Sequence, residues 1–255
     1  MLLAVDIGNT NLKFAVFDGE HMVVSDRLST GASNSPSDTA EYMCAALARH
    51  GIRESDIDGV SLCSVVPPLT TMMERAAAET FGVTALDIKR ATRRGVTLDV
   101  DKPDGVGTDR IVNAAAAYGL YGGPGIVVDF GTATTFDVVT EHGVFIGGVI
   151  APGISLASEA LTARAAQLPP IAPVFPENVI GRDTDQAMRS GLMYGYLGLM
   201  EGVIQRIRAE IGSEARVIAT GGLVEPIAER TTFIDELEPD LTLQGLRLIW
   251  ELNQG

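Results

Sequence analysis

Two short segments of the chain place a carboxylate at the end of an apolar run and follow it with glycine and small polar residues. They are Asp6-Ile7-Gly8-Asn9-Thr10 and Asp129-Phe130-Gly131-Thr132. Such a turn exposes backbone N–H donors, and its glycine allows the backbone to approach a phosphate closely. The acid can hold Mg²⁺, usually through water. Ordinary hairpin turns use the same residue types, so one copy decides little, but two copies together predict a nucleotide phosphate site.

Two other features could take part in the same site. Lys13, on the strand-like run after the first turn, could reach a phosphate as a point charge, although a solvated strand lysine explains it equally well. The pair Gly221-Gly222 follows the apolar run 217–220, and its bare backbone would let an adenine or ribose lie against it. From residue types alone, a plain strand-to-helix turn is the better interpretation of this pair.

A third segment, Gly107-Thr108-Asp109-Arg110, supplies groups suited to phosphoryl transfer to an alcohol. An attacking hydroxyl must lose its proton, so an oriented carboxylate such as Asp109 can serve as the base. Arg110 can bind a substrate carboxylate through two parallel hydrogen bonds. The residues alone favour a simpler interpretation, in which Asp109 is an acid in the first turn of a helix and Arg110 lies in solvent.

The elements that would position these residues repeat along the chain. After each acidic turn come two more strand-like runs, then helices and a further strand, so each half is β-β-β-α-β-α in outline. This alternation predicts an α/β fold of duplicated lobes, at residues 1–117 and 118–255, with a nucleotide cleft between them. The predicted helices that matter most are Asp38–His50, Leu69–Phe81, Thr108–Tyr121, Ser155–Ala166, Thr184–Ile211 and Leu241–Leu252.

Composition and charge exclude several classes of protein. The 255 residues include 33 acidic and 19 basic ones, for a net charge of −14. Such a surface repels nucleic-acid phosphates and anionic membranes, so neither is an expected partner. The two cysteines, Cys44 and Cys63, lack metal-ligand spacing and are interpreted as buried thiols in a reducing compartment. The apolar start reaches Asp6 without a basic segment, which predicts neither a signal peptide nor a membrane span and favours the cytoplasm.

The duplicated acidic turns and the late glycine pair resemble the actin-like, sugar-kinase and heat-shock-chaperone ATPase superfamily, which is built on ribonuclease H-like lobes. Within it, the whole chain is similar to type III pantothenate kinases. The matching stretches are Asp6–Thr10, Pro103–Ala114, Asp129–Thr135, Gly147–Gly153, Ala160–Pro169 and Ile180–Gly191. The most specific feature is the spacing of G-T-D-R before D-F-G-T-A-T-T.

This resemblance implies a kinase that uses ATP and Mg²⁺ to phosphorylate pantothenate, the first step of coenzyme A biosynthesis. It implies that Asp109 is the general base and that Gly107 to Arg110 hold pantothenate. It also implies that Thr184 contacts pantothenate, which is compatible with a role for Thr184 as a helix N-cap. For Asp129 it implies a site for K⁺ or NH₄⁺ near the ATP phosphates, with Thr132 as a phosphate contact. A homodimer is a further implication.

Two positions depart from the family's pattern. Val100 stands where the family commonly has a tyrosine that lines the substrate pocket, and Lys102 stands where an asparagine usually precedes the proline. Both changes concern the shape of the pantothenate pocket. Because a fold does not fix a substrate, two alternatives stay open. One is a sugar or amino-sugar kinase of the same superfamily, and the other is a regulatory protein that binds nucleotide without turnover.

Overall fold

The chain divides into two units, each with its own sheet. The computed structural model describes residues 1–29, 36–164 and 168–254. The first unit comprises Met1–Tyr121 together with Leu241–Gly255, and the second comprises Gly122–Asp240. The chain passes into the second unit close to the predicted boundary at residue 117. It returns at residue 241, so the last helix lies in the first unit and not in the predicted second one.

The first unit contains a five-stranded mixed sheet. Its strands are β1 (Leu2–Ile7), β2 (Asn11–Asp18), β3 (His21–Ser29), β4 (Gly59–Ser64) and β5 (Ala85–Asp87), in the order β3-β2-β1-β4-β5. Strand β2 pairs antiparallel with β1 and β3, whereas β4 runs parallel to β1, and β5 runs parallel to β4. Because β1 and β4 are parallel neighbours, their carboxyl ends meet at one edge of the sheet.

Helices cover both faces of this sheet. They are α1 (Pro36–Arg49), α2 (Pro67–Thr80) and α3 (Thr108–Tyr121), and the unit also has a short strand β6 (Thr97–Leu98). Apolar residues of α1 and α2 pack with Leu3 and Val5 of β1, whereas residues of α3 pack with Leu2 and Ala4. Successive side chains of a strand point to opposite faces, so Asp6 lies on the face that α3 covers. Helix α3 has the bounds predicted from the sequence.

The second unit repeats the plan of the first. Its strands are β7 (Gly125–Phe130), β8 (Ala133–Val139), β9 (Val144–Pro152), β10 (Arg216–Gly221) and β11 (Glu236–Leu237), in the order β11-β10-β7-β8-β9. Its helices are α4 (Ile154–Arg164), α5 (Thr184–Ile211) and α6 (Val224–Ala228). Strands β7, β8 and β9 are antiparallel, and β10 is parallel to β7 as β4 is to β1. The predicted duplication of an α/β plan is therefore confirmed. Helix α5 has its predicted bounds, whereas the predicted end of α4 at Ala166 lies outside the described residues.

The last helix, α7 (Leu241–Leu252), belongs to the first unit because its apolar face is buried there. Leu246 and Ile249 join the cluster that contains Val112 of α3. Gly245 lies so close to α3 that a Cβ atom there would overlap the Val112 carbonyl oxygen. The Ser61 hydroxyl of β4 also donates a 3.1 Å hydrogen bond to the Leu246 carbonyl. Chain order alone had placed this helix with the second half.

Candidate active site

The first acidic turn begins at the carboxyl end of β1. Asp6 lies between its register partners, Lys13 of β2 and Cys63 of β4. The Cys63 thiol donates a 3.2 Å hydrogen bond to Asp6 Oδ1. Beyond the strand, the Gly8 amide donates to the Asn11 carbonyl at 2.9 Å and closes the turn. The predicted tight turn is therefore present, and the central part of the sheet holds its acid.

The tip of this turn faces solvent. Asn9 and Thr10 are exposed, and Lys13 is half-buried on the neighbouring strand. A Cβ atom on Gly8 would come within 3.1 Å of the Asn11 carbonyl oxygen, which is closer than most real Cβ atoms approach an oxygen. Glycine thus keeps the turn tight while the tip stays accessible, as a phosphate-binding turn requires.

Asp109 lies in the first turn of α3, beside the end of β4. Its Oδ1 atom accepts a 2.9 Å hydrogen bond from the Arg110 amide. The Thr108 hydroxyl donates to the Ser64 carbonyl at 3.4 Å, which ties the start of the helix to the end of the strand. Asp109 and Arg110 are both half-buried. The structure therefore places the predicted base at the same end of β4 as the first acidic turn.

The charges of both acids act on Cys63. Burial raises the pKa of the Cys63 thiol well above its ordinary value, and the negative charges of Asp6 and then Asp109 raise this pKa further. The hydrogen bond to Asp6 and the charge of Asp87 act in the same direction. The thiol is therefore protonated at neutral pH and experiences the charges of both the predicted metal-binding acid and the predicted base.

Gly107 determines where the Asp109 carboxylate can lie. A Cβ atom at position 107 would overlap Asp109 Oδ1, whereas one on Gly105 would lie 3.8 Å from the Lys102 Cβ atom. We expect Gly107→Ala to lower kcat by about 10- to 100-fold, because the displaced carboxylate is no longer aligned with the substrate hydroxyl. Gly105→Ala is the matched control and should retain kcat. Steady-state kinetics checks this, and equal activity of the two variants would contradict it.

The second acidic turn has the same place in the second unit. Asp129 lies near the end of β7, between Thr220 of β10 and Thr135 of β8. The Gly131 amide donates to the Ala133 carbonyl at 3.1 Å, and the Thr132 carbonyl accepts a 3.0 Å hydrogen bond from Gly153. Gly131 and Thr132 are exposed. This turn, too, presents small residues and backbone to solvent next to a strand-end acid.

The glycine pair adjoins the second acidic turn. Gly221 has a φ of 101°, and a Cβ atom there would lie 2.6 Å from the backbone nitrogen of Phe130. A side chain at position 221 would thus force β7 and β10 apart at their carboxyl ends. Gly222 has no such neighbour. The pair is therefore more than a plain turn, because its first glycine allows the strands to meet at the edge that holds Asp129.

Thr184 is the first residue of α5 and is exposed. It is not the N-cap, so that part of the prediction is wrong. The N-cap is Asp183, whose Oδ1 atom accepts a 2.8 Å hydrogen bond from the Gln186 amide. Asp185 forms a 2.6 Å ion pair with Arg189 one turn later. The Thr184 hydroxyl is therefore not needed to cap the helix, which leaves its role as a substrate contact a prediction.

The two acids have the right chemistry for the cations that the resemblance implies. Within the described ranges, no three His, Cys, Asp or Glu side chains come together as a metal cluster. Mg²⁺ does not need such a cluster, because it is commonly held by one or two carboxylates together with water and substrate phosphates. Asp6 fits that pattern. Asp129 combines a carboxylate with nearby turn carbonyls, and such oxygen ligands suit a monovalent cation.

Cys63 and Ser64 are site residues that the sequence did not indicate. The interpretation of Cys63 as a buried thiol is confirmed, since it is 1% exposed. Its contact with Asp6 arises only from the parallel register of β1 and β4. No local pattern encodes that register. The one signal in the sequence that Cys63 lies near the site was its position near the end of the strand predicted at Val60–Val66.

Solved structures define the class of fold first. A ROK hexokinase from Thermus thermophilus superposes with a TM-score of 0.54 at 15% identity and covers 100% of this chain and 99% of its own. Component A of (R)-2-hydroxyglutaryl-CoA dehydratase from Acidaminococcus fermentans has a TM-score of 0.51 at 14% identity. The superposition covers 96% of this chain and 94% of that protein. At these identities the likeness establishes the fold alone, which is the two-lobed α/β fold of sugar kinases and related ATPases.

Sequence comparison then gives the family. A family model for type III pantothenate kinase matches residues 2–206. The type III pantothenate kinase of Dehalococcoides mccartyi is 44% identical over 254 residues, with 100% of this chain and 98% of the relative covered. That of Frankia casuarinae is 45% identical over 254 residues, with 99% and 100% covered. The chain therefore belongs to the type III pantothenate kinase family.

Proposed function

We propose that this protein transfers the γ-phosphoryl group of ATP to the 4′-hydroxyl of pantothenate, the first step of coenzyme A biosynthesis. One observation carries the proposal. In a member of this family, Asp109 lies in the first turn of α3, which the Thr108 hydroxyl ties to the end of β4, and β1 presents Asp6 beside that strand end. A base and a metal-binding acid at one strand end are what phosphoryl transfer to an alcohol requires.

Residues at the start of α3 would bind and activate pantothenate. Asp109 would accept the proton of the attacking hydroxyl. The Arg110 guanidinium would pair with the pantothenate carboxylate, since its planar geometry allows two parallel hydrogen bonds. Gly107 and Thr108 would line the same pocket, because the Thr108 contact with Ser64 fixes this stretch of backbone. Thr184 of the second unit is proposed as a further contact with pantothenate.

The two acidic turns and the glycine pair would bind ATP. Exposed turn amides and a nearby lysine suit the phosphates, and bare glycine backbone suits the base and ribose. The proposed ATP contacts in the first unit are Asp6, Gly8, Asn9, Thr10 and Lys13, and those in the second unit are Gly131, Thr132, Gly221 and Gly222.

Two cations would assist this binding. Asp6 would hold Mg²⁺, through water, and Asp129 would hold K⁺ or NH₄⁺. When bound, these cations offset the negative charge of the phosphates during transfer. The contribution of the chain is to orient each carboxylate. Cys63 holds one oxygen of Asp6, and Thr220 and Thr135 are the register partners of Asp129 on the two neighbouring strands.

Activity with defined substrates tests the proposal. Purified protein with ATP, Mg²⁺ and K⁺ is given pantothenate, a panel of sugars and amino sugars, or no acceptor, and ADP release is measured. We expect release that depends on pantothenate and falls when Na⁺ replaces K⁺. Turnover with a sugar alone would instead identify a sugar kinase of the same fold. Nucleotide binding without turnover on any acceptor would identify a nucleotide sensor.

Two wider features of the proposal concern assembly and compartment. Several apolar side chains of the second unit are exposed, among them Ile150, Leu156, Leu161 and Ile180, and we propose that a homodimer covers such surface.

In the described part of the chain, no helix is both long and apolar enough to cross a membrane. Both cysteines are free thiols, which suits a reducing compartment, and we propose the cytoplasm.

A further inference from the structure

The end of β4 connects the two acids of the first unit. Cys63, the penultimate residue of this strand, donates to Asp6 Oδ1 at 3.2 Å. The next residue, Ser64, accepts the hydrogen bond of Thr108, which directly precedes Asp109. Side chains paired in register point to the same face of a sheet, so Cys63 and Asp6 both lie beneath α3. A single residue pair on β4 thus contacts both functional segments of the unit.

The Cys63 thiol differs from an ordinary core cysteine in its neighbours. It lies at the boundary between the apolar face, where it packs in the cluster with Ala4, Ile88 and Val112, and the acidic end of the sheet. A half-buried carboxylate beside apolar residues is costly unless donors contact it. The Cys63 thiol is such a donor, since its hydrogen bond reaches Asp6 Oδ1 at 3.2 Å. A lysine or arginine at this position would neutralise the acid instead.

We propose that Cys63 is a positioning residue for the reaction, whose S–H group holds Asp6 Oδ1 and thereby fixes the orientation of the carboxylate that would hold Mg²⁺. The inference rests on the proposed function only in assigning Mg²⁺ and ATP to Asp6. Partners that orient a metal-binding carboxylate contribute substantially to metal affinity. The thiol acts through Asp6 and does not touch the substrate.

Substitutions at Cys63 separate its donor from its packing. Cys63→Val removes the donor, fills the volume of the thiol side chain and suits a β-strand. Cys63→Ala also removes the donor but leaves part of that volume empty. Cys63→Ser retains a donor. Cys44→Ser is the matched control, because Cys44 is a half-buried thiol of α1, which packs on the face of the sheet opposite to that of Asp6. The probe is Mn²⁺, whose binding in the presence of a non-hydrolysable ATP analogue is followed by electron paramagnetic resonance without any turnover.

The expected order of Mn²⁺ affinity identifies the role of the donor. Cys63→Val and Cys63→Ala should each weaken Mn²⁺ binding by about tenfold. Cys63→Ser should bind Mn²⁺ within about twofold of the unchanged protein because serine keeps a donor. Cys44→Ser should do the same because it leaves Cys63 unchanged. In steady-state assays the loss should appear in the KM for MgATP and leave the KM for pantothenate unchanged. Unchanged affinity in both donor-free variants, or an equal loss in Cys63→Ser, would overturn the inference.

A measurement on the unsubstituted thiol covers the case in which a Cys63 variant does not fold. In Cys44→Ser protein the only S–H stretching band in a Raman spectrum belongs to Cys63, and it should shift when Mg²⁺ and the ATP analogue are added. A band that stays in place would overturn the inference. These tests are independent of the substrate. If pantothenate were not phosphorylated but the affinity order held, the proposed function would fail and the role of Cys63 would stand.

Discussion

Replacing Asp109 with asparagine is expected to lower kcat by about 10²- to 10⁴-fold, the usual contribution of a general base. The amide keeps the size of the carboxylate, and its oxygen can still accept the 2.9 Å hydrogen bond from the Arg110 amide. It cannot take up the proton of an attacking hydroxyl. The loss should therefore appear in kcat, while the affinity for ATP, measured by calorimetry, should stay close to that of the unchanged protein.

Asp104→Asn is the matched control for this variant. Asp104 is exposed and lies in the 3₁₀ turn at Pro103–Gly105, just before the same helix. It carries the same charge but has no predicted role, so its substitution should leave kcat unchanged. Loss of less than about tenfold in Asp109→Asn would remove Asp109 as the base. A protein whose cellular role survives this substitution would be a nucleotide sensor, because a sensor needs no base.

Replacing Gly221 with alanine is expected to lower the free energy of unfolding of the second unit by about 3 kcal/mol, as backbone strain and overpacking add. The φ of 101° disfavours any residue with a Cβ atom. That atom would also lie 2.6 Å from the Phe130 nitrogen, which is backbone and cannot turn aside. The overlap between this Cβ atom and Phe130 is relieved only if β7 and β10 separate at the edge that carries Asp129. ATP binding should therefore weaken together with stability.

The position of the single tryptophan allows this loss to be assigned to one unit. Trp250 is the only tryptophan in the sequence and lies in the first unit. In urea, the far-ultraviolet circular dichroism signal of Gly221→Ala should begin to fall before the fluorescence of Trp250 changes. Gly222→Ala is the control, since a Cβ atom there meets nothing within 4 Å, and it should unfold like the unchanged protein. Equal stability of the two variants would show that β7 and β10 tolerate a side chain at position 221.

Much of the fold could be predicted because it is encoded locally. The sequence predicted α3 at Thr108–Tyr121, as an alanine-rich helix, and α5 at Thr184–Ile211 with the bounds that the structure has. The repeated acid-and-glycine turns revealed two copies of one strand plan, since turn geometry depends on a few adjacent residues. The turns at Gly8 and Gly131 are closed by hydrogen bonds to residues only a few positions away. These parts needed no knowledge of the rest of the chain.

Other parts of the site depend on which distant segments meet. The helix at Leu241–Leu252 looked like a part of the second half, but its apolar face fits the surface made by α3 and β1. Thr184 looked like an N-cap, but the cap is Asp183, because the helix start is set by backbone geometry to within a residue. The place of the last helix depends on three-dimensional fit and cannot be read from periodicity, whereas the cap is a local contact between Asp183 and Gln186.

The sequence by itself determined the duplicated α/β plan, the two acidic turns and the family, because each rests on short motifs and their spacing. The tertiary structure alone decided that Cys63 donates to Asp6, that Asp109 lies at the same strand end, and that Gly221 must lack a side chain. Asp6 and Cys63 are joined by a parallel register between strands 57 positions apart. Such a register is fixed by the packing of the whole sheet and its helices, and no local segment of the chain contains it.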